Sequence, residues 1–378
     1  MIWIAFRMLI GNRGKYLGIV LGIAFASLLI AQQASIFCGL MLRTSSQVKD
    51  IQSAGIWVMD PNMQFVDDIK PMTSTALLRV RGVPGVKWAV PLYKGLSRVR
   101  LSDGNYQQII LIGVDDATLV GAPTEMLYGP IFDLQRPDAV ILDHAGWAQL
   151  WPDEPYHAGK TFELNDRRAF VVGVCKASRT FQTFPVVYSR FKQATTFVPM
   201  ERRMLSFVLA EAQDGRDVDE VCAEIEKRTD LMAIGRVDFA WKTMRYYMER
   251  TGIPVNFGIT VILGFIVGTA IAGQTFYLFT IENLRQFAML KAMGASNRAI
   301  LGMVLFQAVV VGAIGYGLGV GMAALFGQWT LDASKLAFYL PWEVMVIAAA
   351  AVVLMLLLSS VLSVRRVLTV EPAIVFQG

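Results

Sequence analysis

The sequence predicts a membrane α-helical protein with four transmembrane helices, one plus three, and a large α+β extracytoplasmic domain between helices 1 and 2. Three observations predict it. Four stretches lack any Asp, Glu, Lys or Arg: Tyr16–Leu42, Thr251–Ile281, Ala299–Leu331 and Val344–Val364. The chain is 54% hydrophobic, more than a soluble domain, in which apolar residues including Gly make up about half. The interval 43–250 is long enough to bury a core of its own.

Each uncharged stretch reaches the ~20 residues a helix needs to cross a hydrocarbon core of ~30 Å. In lipid, a lone apolar segment satisfies its backbone only as a helix. The first stretch exceeds the ~7–15 residues of a signal-peptide core, and no small-x-small cleavage site follows, so a retained helix is expected. The spans are placed at 16–42, 251–281, 299–328 and 342–364. Short flanks set the orientation. Arg7, Arg13 and Lys15 lie in the amphipathic segment 1–15, Arg285, Lys291 and Arg298 in 282–298, and Arg365 and Arg366 in the tail 365–378. The short outer loop 329–341 holds Lys335 as its only basic residue. Positive charge marks the cytoplasmic side, so both termini and 282–298 are expected inside and 43–250 outside.

Other classes are disfavoured. A net charge of +5 with scattered Lys and Arg gives little support to nucleic-acid binding. Three cysteines without a CxxC, and two histidines, make a zinc site improbable, and no cofactor is expected. The four uncharged stretches hold no Asp, Glu, Lys or Arg to carry a proton or ion relay. Gln32, Gln33 and Gln274 read as interhelical hydrogen-bonding groups, or as marks of where a helix leaves the lipid, rather than as substrate ligands. Gly18/Gly22, Gly264/Gly268, Gly315/Gly319 and Gly317/Gly321 fit small-xxx-small spacing, which lets backbones approach closely. Packing within one bundle accounts for most of them, and one or two are available for a dimer seam.

Between the first two spans, short β-branched runs bounded by turn residues predict strands. They are Ile56–Met59, Leu77–Arg81, Val86–Val90, Gln107–Val114, Ala139–Leu142, Phe170–Cys175, Phe184–Tyr188 and Ser206–Ala210, expected in small mixed sheets. Turns are expected at Asp60-Pro61, Val83-Pro84-Gly85 and Asp103-Gly104. Val218, Val221, Cys222 and Ile225 at helical spacing predict an amphipathic helix over 216–229. Arg43–Ser53 and Phe239–Arg250, with a break near Pro254, are expected to extend the flanking spans outward as a paired stalk. Cys175 and Cys222 read as buried free thiols rather than a disulfide. His144 and His157 lie in no nucleophile or metal pattern. Neighbouring carboxylates at Asp67-Asp68 and Asp115-Asp116 point to opposite faces on a strand, which suits turns better than acid–base chemistry. There is no GxSxG, HExxH or GxxxxGK[ST], so no catalytic residue is assigned.

The segment Glu282–Ser296, ENLRQFAMLKAMGAS, stands apart. It is helix-prone and charged, between two apolar stretches. Phe287, Leu290 and Met293 fall at i, i+3 and i+6, bordered by Glu282, Arg285 and Lys291, and Gly294 can stop a helix. Two readings stay open on physics alone: a docking helix for a soluble partner, or a connector lying on the headgroups.

The residues themselves carry a resemblance. Phe287, Ala288, Met289, Leu290, Lys291, Ala292, Met293, Gly294 and Ala295 match in order the cytoplasmic signature of MacB/FtsX/LolC-type ABC transporter permeases, approximately R-x-x-E-[FI]-A-[IL]-[LM]-[KR]-A-[LMI]-G-[AM]. Gln286 stands where many relatives have Glu. Ser363–Ala373 resembles the family ending ARRALRLDPAEAL, with Glu371-Pro372 for Asp-Pro. Gly55–Pro61, Arg79–Lys94 and Leu111–Pro123 look like the DevC-type branch, which carries no fused ATPase. The resemblance implies a separate cytoplasmic ATPase coupled at Glu282, Arg285, Phe287, Ala288, Leu290, Lys291, Met293, Gly294 and Ala295. It implies a second permease copy, a periplasmic membrane-fusion protein, a TolC-like outer-membrane channel and an inner-membrane location. The function it implies is mechanotransmission: ATP-driven motion reaches the outward domain to export an amphiphilic or lipid-like substrate, and hydrolysis stays in the partner. The alternative is an FtsX-like scaffold that activates a cell-wall hydrolase without transport.

Overall fold

The computed structural model describes residues 2–11, 13–101, 104–333 and 336–368. Asp103, Lys335 and the tail from 369 onward lie outside the described residues, as do the side chains of Arg13, Lys15, Arg365 and Arg366. The chain begins with α1 (Ile2–Gly11), α2 (Arg13–Thr44), α3 (Ser46–Asp50), β1 (Ile56–Met59) and α4 (Thr75–Arg81). Next come β2 (Val86–Arg100), β3 (Tyr106–Val114), β4 (Met126–Tyr128), β5 (Ala139–Asp143), α5 (His144–Leu150), β6 (Thr161–Leu164) and β7 (Arg167–Cys175). There follow β8 (Val186–Arg190), α6 (Phe191–Thr196), β9 (Phe207–Ala212), α7 (Val218–Thr229), β10 (Met232–Gly235) and α8 (Arg236–Arg250). The chain continues through α9 (Ile253–Glu282), α10 (Leu284–Ala292), α11 (Asn297–Ala333) and α12 (Trp342–Leu368). Met41–Thr251 forms one compact unit and the segments flanking it another.

Among the described residues, four helices are long and apolar enough to cross a membrane: Tyr16–Thr44, Ile253–Glu282, Asn297–Leu331 and Trp342–Ser360. Residues 329–333, expected in the outer loop, instead continue α11. Glycines set the closest approaches in this unit. A Cβ on Gly22 would lie 2.5 Å from Ile271 Cγ2, and one on Gly315 2.8 Å from Ile23 Cβ. On Gly264 it would lie 3.3 Å from Leu29 Cβ, and on Gly268 or Gly319 it would meet Ala26 or the Ala24 carbonyl. These five sit at helix contacts. Gly18, grouped with them by spacing, has nothing within 4 Å, nor have Gly317 and Gly321. Four-residue spacing marks two glycines on one helix side but not which side meets a neighbour.

The Met41–Thr251 unit is built on one ten-stranded mixed sheet, in the order β10-β1-β9-β2-β3-β8-β5-β7-β4 with β6 joined to β2 and β7. The expected small sheets are merged because β2 is long. Residues 86–92 pair with β9 and residues 93–100 with β3. Strand β6 pairs with both β2 and β7, closing β2, β3, β8, β5, β7 and β6 into a ring. Alternation sorts the ring's side chains: Ile109, Leu111, Val140, Leu142, Val171 and Val187 join one core cluster, and Ile110, Ile112, Ile141, Val172 and Tyr188 another. Trp57 contacts Phe207 edge-on at 5.1 Å and Phe239 of α8 at 5.5 Å.

One expected strand is a helix. Leu77–Arg81 belongs to α4, where Ala76 and Val80 are buried four residues apart; helical, not alternating, burial decides it. The expected amphipathic helix is α7, which buries Val221, Cys222 and Ile225. Asp219 and Glu220 lie in its first turn and Lys227 and Arg228 in its last, both favourable to the helix dipole. Cys175 and Cys222 are free and buried. Burial pushes the Cys222 thiol up to about 12 and raises Cys175 as well, leaving little reactive thiolate at neutral pH.

Candidate docking site

Helix α10 is defined by its caps. Asn283 spends its side chain on α9, donating to the Phe279 carbonyl at 2.8 Å, while its own carbonyl accepts the Phe287 N–H at 3.1 Å. At the other end Gly294 has φ +94°. The Ala295 N–H reaches the Leu290 carbonyl at 3.0 Å and the Gly294 N–H reaches Lys291 at 2.9 Å. This is a Schellman cap, which needs a left-handed residue that glycine supplies without strain. Ser296 then accepts the Ala299 N–H at 3.3 Å on its Oγ and opens α11. The triplet Gly294-Ala295-Ser296 therefore ends one helix and starts the next.

The stripe read from the sequence faces inward. Phe287 is 1% exposed and packs with Ile300 and Val304 of α11. Leu290 is buried with Met303 and Ala5, and Met8 and Ala295 border both clusters. Ala288 is buried too. A further bond ties α1 to α11: buried Gln307 donates Nε2 to the Ala5 carbonyl at 2.8 Å. Phe287, Ala288 and Leu290 are thus anchors of the connector, not its open surface. Periodicity reveals an apolar face but not whether lipid, a partner or the same chain covers it. Met293, counted in that stripe, lies past the last helical residue and is 76% exposed.

The open face comprises Arg285, Gln286, Met289, Ala292 and Met293, with Glu282 at its edge. Beside it lies a cleft of about 690 Å³ lined by Trp3, Ile4, Arg7, Met8 and Gly11 of α1 and by Glu282, Asn283 and Gln286. Trp3 is 66% exposed, and the Arg7 guanidinium stands 5.4 Å over its ring. The sequence predicts that the segment Trp3–Lys15 assists docking on 282–296, but it does not single out Trp3, Ile4 or Gln286 within those segments. The surface thus combines an exposed indole, apolar flanks and charges of both signs, residue types that recur at protein interfaces. Among the described residues no group of His, Cys, Asp and Glu is placed to hold a metal ion.

The carboxylate pairs act in turns. Asp115 accepts from the Thr118 N–H at 2.8 Å and its hydroxyl at 2.7 Å, and Asp68 accepts the Gln64 N–H at 3.0 Å. Asp67 has a role the sequence did not show. It pairs with Lys94, whose buried ammonium also donates to the Val66 carbonyl at 3.0 Å.

Comparison with known proteins places this architecture. A model described as MacB-like periplasmic core domain matches residues 16–228, and one described as FtsX-like permease C-terminal matches 258–372. The chain belongs to the MacB/FtsX-type family of ABC transporter permeases. An uncharacterised ABC transporter permease of Mycobacterium tuberculosis is 25% identical over 82% of this chain and 80% of its own length. Another from the same organism is 34% identical over 32% of this chain, and the match spans only 33% of that relative. The macrolide export ATP-binding/permease protein MacB of Salmonella typhi is 22% identical over 87% of this chain and 51% of its own length. The periplasmic region of MacB from Actinobacillus actinomycetemcomitans superposes with a TM-score of 0.39 at 14% identity, over 54% of this chain and 96% of that one.

Proposed function

We propose that this chain is the permease subunit of an ATP-driven export complex and that a separate cytoplasmic ATPase docks on the open face of α10 and the adjoining α1 cleft. The observation that carries the reading is the two-sidedness of α10. Its inner face is locked to α1 and α11 by Phe287 and Leu290, while Arg285, Met289 and Met293 remain open. A partner pushing on so anchored a helix moves α1 and α11 with it. In this reading the termini and α10 are cytoplasmic, in the inner membrane, and motion passes through the long helices to the Met41–Thr251 domain. The helices emerging from the membrane act as a paired stalk. A second permease copy, a periplasmic membrane-fusion protein and a TolC-like channel complete the complex, and the substrate is amphiphilic or lipid-like.

The test is co-purification of the ATPase with variants of the open face. Arg285→Glu and Met293→Asp should each abolish recovery of the ATPase while the permease still inserts and elutes as wild type does. Full recovery with both variants would remove the docking assignment.

A further inference from the structure

The Met41–Thr251 unit carries an unclaimed feature at the β6–β7 turn. Asn165 and Asp166 have φ of 47° and 60°, the left-handed conformation that a tight hairpin requires and that Asn and Asp tolerate. Asn165 uses its whole side chain. Its Nδ2 donates to Ser97 Oγ at 2.6 Å and to the Phe197 carbonyl at 2.8 Å, and its Oδ1 accepts the Arg98 N–H at 3.2 Å. The turn is thereby fixed to β2 on one side and to the loop after α6 on the other.

Two adjoining clefts of about 400 and 490 Å³ share this anchor. Arg98, Arg167, Arg203 and Tyr106 line the first, and Arg98 and Arg202 the second. Four guanidinium groups are thus gathered against two carboxylates, Asp166 and Glu201. Among the described residues Arg98, Arg167 and Arg202 form no ion pair, and Arg203 spends only Nε, on the Val198 carbonyl at 3.2 Å. A stable fold gains nothing from crowding like charges, and a soluble surface ordinarily intersperses them.

The lining decides the kind of occupant. Sites for small molecules enclose most of the ligand and are lined chiefly by apolar groups. These clefts are open, and all four arginines are exposed. Arg and Tyr, with exposed Leu96 and Met200 alongside, are the residue types that anchor protein interfaces. A guanidinium fork pairs two-pronged with a carboxylate. We propose that this double cleft binds an acidic polypeptide segment of a partner protein, with Asp or Glu carboxylates seated on Arg98, Arg167, Arg202 and Arg203. The site is independent of α10, so failure of ATPase docking leaves the following test intact.

The experiment uses the full chain in nanodiscs of zwitterionic lipid, titrated with a fluorescent Glu-rich peptide and a matched Gln-rich one. The Glu-rich peptide should bind and the Gln-rich one should not. The Arg98→Glu/Arg167→Glu variant should weaken binding at least about tenfold, as loss of charge-assisted pairs requires. Arg245→Glu, at an exposed position on α8, should leave binding unchanged. Should the charge reversals impair folding, Arg98→Gln/Arg167→Gln serves instead, with the same expected loss. The proposal is overturned if wild type ignores the Glu-rich peptide, if the cleft variants bind as wild type does, or if Arg245→Glu weakens binding equally. It is also overturned if inorganic phosphate at constant ionic strength displaces the peptide, or if phosphatidylglycerol vesicles bind through these arginines. Those results would assign the cleft to a phosphate group or a membrane.

Discussion

Replacing Phe287 with Ala should release α10 from the helices beneath it. The ring is 1% exposed, wedged against Ile300 and Val304 with Met8 and Ala295 at its border. Truncating a buried Phe costs about 3–5 kcal/mol, from lost transfer free energy and the cavity left behind. The lower end suits this site, because flexible Met8 can shift into part of the space. A loss of about 3 kcal/mol, at ~1.4 kcal/mol per tenfold, raises the population of the detached helix about a hundredfold. Hydrogen exchange on the full chain in nanodiscs reads this directly as faster exchange across 284–292. Met293→Ala removes a side chain that is 76% exposed, so it should change stability by no more than about 0.5 kcal/mol and leave exchange nearly as in wild type. Equal protection in Phe287→Ala and wild type would refute the claim that this stripe anchors the connector. The same reasoning makes Phe287→Asp a poor probe of docking, since burying a lone carboxylate disrupts the fold first.

Three further outcomes follow from the geometry. Burial raises the Asp143 carboxyl to about 6 from its usual 3.8, although it accepts the Gly146 and Val186 N–H groups. A raised pKa gives stability that is full below 3.8 and lost as pH climbs through 6, at most about 3 kcal/mol at ~1.36 per unit. Asp143→Asn keeps the acceptor without the charge, so melts compared from pH 4 to 7 should show the variant gaining on wild type as pH rises. Asp67→Asn should cost about 2 kcal/mol, below the ~3–5 of a fully buried pair because Asp67 is 33% exposed. Lys94→Met should cost less than Asp67→Asn, because the carboxylate it leaves unpaired is 33% exposed and partly hydrated, whereas the ammonium that Asp67→Asn leaves unpaired is buried; thermal unfolding separates the two. Gly319→Val should destabilise the helical unit by about 1–3 kcal/mol, since its Cβ meets the Ala24 carbonyl and lies 2.5 Å from Ser27 Cβ. Gly321→Ala, facing open space, should be neutral or slightly stabilising in the same detergent melts.

The long helices were legible because uncharged length is a signal that nothing else in a chain imitates. The strands with β-branched runs were legible for a related reason: β3, β5 and β7 are buried over enough residues to stand out, and β1, though only four residues long, is an unbroken apolar run between turn residues. Met126–Tyr128 and Thr161–Leu164 are too short for periodicity, and β6 is betrayed only by the Asn165-Asp166 turn that follows it. Leu77–Arg81 misled because Leu and Val suit both states; the pair Ala76 and Val80 held the helical answer. At the candidate docking site the sequence revealed the stripe and the Gly294 stop. It could not reveal that Met8, Ile300 and Val304 cover the stripe, because that burial is made by residues distant along the chain. The Lys94–Asp67 pair and the arginine cleft at Asn165 were hidden for the same reason.

The central claim is that the open face of α10 is where the ATPase sits. A photo-crosslinking residue placed at Met289 or Met293 tests it most directly in intact membranes, with Leu21, 60% exposed on α2, as the control position. The account predicts an ultraviolet-dependent adduct with the ATPase from positions 289 and 293 and none from 21. An adduct from none of the three, with the ATPase present and active in the same membranes, would contradict it.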